Sequence, residues 1–117
     1  MPRGETVAAK WRRWLKVLRE GHPTEYPVKV RRVPLRDRGE DVHGDCDLIE
    51  GKHGRYFRIR IDTRLSTEHA FYILLHEWAH ALTWDQSDIH DHGDAWGTTY
   101  AELWREYVGD GDFEAPA

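Results

Sequence analysis

The stretch FYILLHEWAHALTW, residues 71–84, places His76 and His80 four positions apart with Glu77 beside the first. On a helix turning about 100° per residue, His80 falls about 40° from His76, one turn further along the same face. Glu77 falls about 100° away, beside the pair but offset from it. Phe71, Leu74, Trp78, Ala81 and Leu82 fall on the other side, between about 140° and 240°. One face is therefore expected to enter a core while the other presents two imidazoles and a carboxylate. Imidazole nitrogen is a good ligand for zinc, and a catalytic zinc keeps one position for water beside three protein ligands. The metal lowers the pKa of that water and polarises a carbonyl. A carboxylate placed like Glu77 can take the proton of the water and hand it to a leaving amine. The chemistry to which this spacing points is hydrolysis of a peptide bond.

Two histidines and a base do not close such a site. His92, 12 positions after His80, is one candidate for the third ligand, because Gly93 behind it allows the backbone a tight turn. His90 lies two positions earlier in the same polar loop, and Glu102 lies 22 positions after His80 within the last helix. The glycine favours His92 over the other two. Asp88, Asp91 or Asp94 would suit the orientation of a ligand imidazole through its other N–H. His69 and Tyr72 share the ligand face of the helix. Tyr100 and Tyr107 are candidate hydroxyl donors to a developing oxyanion, although their helical spacing also suits packing.

The rest of the chain must position these groups. Residues 5–20 read as an amphipathic helix with Ala8, Trp11, Trp14 and Leu18 on one side, closed by Gly21 and Pro23. Residues 26–33 read as a strand and 34–44 as a charged loop. Residues 45–62 read as a hairpin turning at Gly51–Gly54, with Phe57, Ile59 and Ile61 on one face of its second strand. That strand, 55–62, is expected to be an exposed edge to which a peptide can add, with Arg58 and Arg60 near the site. Ser66 is a good N-cap for the histidine-bearing helix, which should reach about Trp84. Asp94 is expected to cap a last helix with Trp96, Tyr100, Leu103 and Tyr107 in one stripe, ended by Gly109. The expected architecture is α+β: an N-terminal helix, a small antiparallel sheet of about three strands, the HExxH helix and a C-terminal helix. Residues 1–109 read as one domain and 110–117 as a disordered acidic tail.

The composition suits a water-soluble domain of 117 residues with one modest core. The N-terminal stretch lacks the apolar region of a signal peptide, and no run is long and apolar enough for a membrane span. Cys46 is the only cysteine, which excludes a disulfide framework and a thiolate zinc knuckle and fits a reducing cytoplasm. Residues 1–64 carry 16 Lys/Arg against 10 Asp/Glu, whereas residues 65–117 carry 1 against 11. The two halves are expected to attract each other. The basic half also opens a second function: a nucleic-acid-binding or interaction module in which the zinc is structural or vestigial.

HEWAHALTW followed by HGDAWGTTYAELWREYVG resembles the SprT-like zincin metallopeptidases, in particular compact actinobacterial and phage proteins of this type. Those proteins show HExxH, a short loop, a His-Gly pair and an aromatic residue three positions later, here His92, Gly93 and Trp96. The resemblance covers residues 66–109, with RYFRIRID before the helix in a matching place. It implies a minimal zincin fold, zinc held by His76, His80 and His92, Glu77 as general base, and a protein or peptide substrate. Many relatives have proline where Asp94 stands. The chain has no cysteine cluster for the zinc ribbon of larger relatives, so DNA-dependent proteolysis does not carry over with the motif.

Overall fold

Three helices and a three-stranded mixed sheet make up the computed structural model, which describes residues 6–35, 42–86 and 93–109. The order is α1 (Val7–Gly21), β1 (Val28–Val33), β2 (Gly44–Gly51), β3 (Gly54–Asp62), α2 (Thr67–Leu82) and α3 (Asp94–Tyr107), with one 3-10 turn at Trp84–Gln86. The α+β class and this order of elements match the reading of the sequence. No helix among the described residues is long and apolar enough to cross a membrane. The expected 110–117 tail, most of the 34–44 loop and most of the loop after α2 lie outside the described residues.

The sheet runs β1-β3-β2. Only the β2–β3 hairpin is antiparallel, with Cys46 opposite Ile59. β1 pairs parallel to β3, with Val28 opposite Phe57 and Val30 opposite Ile59. The expected antiparallel sheet is thus corrected to a mixed one, and β3 is its centre rather than an edge. Alternation of side chains states which face a residue takes but not which strand lies beside it. Phe57, Ile59 and Ile61 are all fully buried, and a strand so deeply covered is flanked on both sides. The hairpin turns through Lys52 and His53. Gly54 sits at φ +122°, a conformation that favours glycine.

Pleating divides the sheet chemically. Phe57, Ile59 and Ile61 join Trp14, Leu15 and Leu18 of α1 and Phe71, Leu74, Leu75 and Trp78 of α2 in one core. On the other face Arg60 pairs with Asp45 and Arg58 with Asp47 at 3.1 Å, while Arg55, at the exposed hairpin end of the strand, pairs with Glu50 at 2.7 Å. Arg58 and Arg60 therefore lie across the sheet from the core and α2. The arginines of β3 are matched by acids of the same basic half. These pairs are cross-strand neighbours, the cheapest partners geometrically.

Local chemistry fixes the helix ends. Thr6 Oγ1 accepts the N–H of Ala9 at 3.1 Å and starts α1. Gly21 is the last helical residue rather than a left-handed terminator. A Cβ there would lie 3.3 Å from the Tyr107 hydroxyl, so the glycine serves a close approach. Ser66 Oγ accepts the N–H of His69 at 3.2 Å, which confirms the N-cap of α2, and the helix ends two residues earlier than expected. Gly93, not Asp94, is the N-cap of α3; Asp94 sits in the first turn, where its charge suits the helix dipole. Gly109, at φ +108°, follows the end of α3 as expected.

The link from sheet to α2 rests on Asp62. This fully buried carboxylate accepts the backbone N–H of Arg64 at 2.9 Å and its Nε–H at 2.9–3.0 Å. The Arg64 side chain first, and then its backbone N–H, lower the Asp62 pKa from the ordinary 3.8 to about 2. A carboxyl held below its ordinary value stabilises the fold fully above that value and loses the contribution as pH falls towards about 2. Asp62→Asn is therefore expected to lower the melting temperature near neutral pH and to flatten its decline between about pH 4 and pH 2. Thermal melts followed by circular dichroism test this, and an unchanged slope in the variant would contradict it.

Candidate metal centre

α2 buries a wider arc than five apolar positions require. Ala70, Phe71, Leu74, Leu75, Glu77, Trp78, Ala79 and Ala81 are all buried, while His76 and His80 are half-buried on the remaining face. The two rings lie 5.1 Å apart between centroids. With metal–nitrogen bonds of about 2.1 Å, two imidazoles on one tetrahedral ion would place their centroids about 5.3 Å apart. His76 Nε2 is 3.7 Å from Glu77 Oε2. One donor atom from each of His76, Glu77 and His80 lies within 4.8 Å of the others, the only such trio among the described residues. The donors present thus fit a divalent ion that takes imidazole nitrogen.

The other candidates separate clearly. His92, His90, Asp88 and Asp91 lie outside the described residues. Glu102 is exposed on α3 and does not join the trio. Asp94 is exposed as well. His69 is exposed beside His43. Tyr72 packs on Trp104 at 5.0 Å. Tyr107 meets His22 of the α1 end at 5.6 Å and Phe71 at 6.4 Å, so it belongs to packing at the far end of α3. Cys46 stays a thiol, its pKa raised by burial first and then by the charges of Glu77, Asp47 and Asp45.

Glu77 is only 6 % exposed. Burial, and after it the charges of Asp45 and Asp47, push its pKa up to about 8. The start of β2 produces this enclosure. A Cβ on Gly44 would meet Ile73 Cγ2 at 2.5 Å, the Arg60 carbonyl at 3.0 Å and Glu77 Oε2 at 3.5 Å. Ile73 is β-branched and stiff in a helix, so it cannot easily give way. Glycine at position 44 is what lets the strand lie against α2 beside the base.

Trp96, read from the sequence as packing, is part of the site. Its indole N–H donates to the His76 carbonyl at 3.2 Å. Its ring stacks on His80 at 5.2 Å and meets His76 edge-on at 4.9 Å. One side chain of α3 thus holds the helical turn between the histidines and limits the rotation of both rings. Tyr100, one turn later, lies 5.6 Å from the His76 ring. Its pKa is raised by burial and then by Glu77, so the hydroxyl stays protonated as a donor. Periodicity placed these aromatics on one stripe of α3. The clue to their role was that this stripe faces the histidines of α2, a pairing of faces that the spacing within one helix does not state.

Comparison of the chain with protein-family models, curated proteins and solved structures yields no match.

Two outcomes follow from this geometry. Gly44→Ala should cost about 1–3 kcal/mol by overpacking the β2–α2 contact, measured by urea unfolding. Trp96→Ala should weaken metal binding about tenfold by freeing both imidazoles, read by competition with a chelating dye. Trp96→Phe should recover part of that loss, since it restores a ring but not the hydrogen bond to His76.

Proposed function

We propose that the chain is a zinc-dependent metallopeptidase of SprT-like zincin type, with His76, His80 and His92 as ligands and Glu77 as general base. The observation that carries this reading is the convergence of two imidazoles and one buried carboxylate of α2, with donor atoms within 4.8 Å of one another. Zinc held there would supply Lewis acidity for the scissile carbonyl and lower the pKa of a water. Glu77 takes the proton from the attacking water and returns it to the departing amine. Its place at 3.7 Å from His76 Nε2 keeps it beside the reaction without making it a necessary ligand. Tyr100 is the hydroxyl placed to steady the oxyanion. Trp96 keeps the two rings in register.

The strand order supports a substrate path along β2. Among the described residues β2 pairs with one strand, β3. Gly44, at the start of this strand, lies beside Glu77: a Cβ built on it would stand 3.5 Å from Oε2. An extended peptide pairing with β2 would pass directly before the base. The substrate class is accordingly a protein or peptide in extended form, and the cellular setting is the cytoplasm. The pairing of Arg55, Arg58, Arg60 and Arg64 with acidic neighbours draws weight away from a phosphate-binding role for the basic half.

Two measurements test the reading together. Metal analysis should find one tightly bound zinc per chain, lost in His76→Ala and in His92→Ala and kept in Glu102→Ala. Glu77→Gln should keep the metal and lose peptide hydrolysis by about a hundred- to ten-thousand-fold. A zinc-loaded wild-type protein that cleaves no member of broad protein and peptide panels would count heavily against it, as would hydrolysis that survives Glu77→Gln.

A further inference from the structure

A second pair of imidazoles stands at the other end of the same helix face. His43, just before β2, and His69, in the first turn of α2, have ring centroids 5.6 Å apart. The HExxH pair stands at 5.1 Å, and two imidazoles sharing a tetrahedral ion would stand about 5.3 Å apart. The near equality is one of spacing between rings that come from distant parts of the chain. Both backbones are anchored. The His43 carbonyl accepts the Asp62 N–H at 2.9 Å, and the His69 N–H donates to Ser66 Oγ at 3.2 Å. Both side chains are exposed, so an ion and its waters can reach them.

We propose that His43 and His69 form a second binding site for a divalent transition-metal ion of the zinc, nickel or copper class, with water in the remaining positions. Imidazole suits all three ions. The electrostatics are mixed. The positive end of the α2 dipole opposes a cation at His69, and the Arg64 guanidinium offsets the charge of Asp62 near His43, while the exposed Glu68 carboxylate beside His69 favours one. With two protein ligands and that opposition, the site binds at least tenfold more weakly than a site with three. His69 precedes His76 by seven residues, a rise of about 10 Å along α2. His43 adjoins Gly44, where an added Cβ would stand 3.5 Å from Glu77 Oε2. The second ion would therefore lie at the end of the proposed peptide path, close to the HExxH site but without sharing its ligands.

Calorimetric titration of chelator-stripped full chain with Zn2+ alone, and separately with Ni2+ alone, tests the site without any assay of activity. Two classes of binding are expected, the second at least tenfold weaker. The double variant His43→Ala/His69→Ala should lose the weaker class and keep the tight one. His76→Ala/His80→Ala should do the reverse. Should that variant not fold, wild-type protein preloaded with one equivalent of Zn2+ is followed by proton NMR as Ni2+ is added. The ring signals of His43 and His69 should then broaden before those of His53. Binding whose every class is unchanged in His43→Ala/His69→Ala, or broadening at His53 first, would overturn the proposal. Loss of the tight class alone bears on the peptidase reading and leaves this one standing.

Discussion

The contact between the start of β2 and the middle of α2 governs the site. At Gly44 the strand backbone comes so close to Ile73 that no side chain fits between them, with the Glu77 carboxylate alongside. That approach encloses the Glu77 carboxylate and brings the charges of Asp45 and Asp47 near it. Burying an ionisable group in this way costs stability and is found where chemistry requires a tuned proton. The protein accepts that cost at one residue and supports it elsewhere with an apolar core of ordinary make-up.

α3 completes the arrangement from the opposite side. Trp96, Tyr100 and Trp104 follow one another at four-residue intervals, and neighbouring rings stand 5.1 and 6.1 Å apart. The ladder begins on His76 and His80 and ends on Tyr72, so the ligand face of α2 is held along its length. Large planar side chains suit this task. They have few rotatable bonds, and their edge-to-face and stacked contacts add to plain burial.

The helices and the histidine face were legible in the sequence because a period of 3.6 residues is local information. Ser66, His76, Glu77 and His80 take the places their spacing implied. What was hidden depended on partners from elsewhere in the chain. Nothing in YPVKVRRV says that it runs beside RYFRIRID rather than at the edge of the hairpin. Nothing in α2 alone shows that Glu77, on the flank of the wheel, is covered by β2. Trp96 misled for a related reason: a residue that packs and a residue that positions a ligand occupy the same stripe of α3. Asp62 gave no periodic signal at all, since its role comes from a turn of three residues.

The parallel pairing of β1 with β3 carries a consequence for the order in which the chain assembles. Residues 44–82 contain a hairpin and the helix that follows it, and their contacts close short loops. Registering Val28 against Phe57 instead closes a loop of 29 residues, with a larger loss of chain entropy before any contact rewards it. The hairpin and α2 can therefore associate early, while α1 and β1 dock later onto a surface already made. The two histidines and their carboxylate belong to the early unit, so the cluster on α2 is assembled before the N-terminal half arrives.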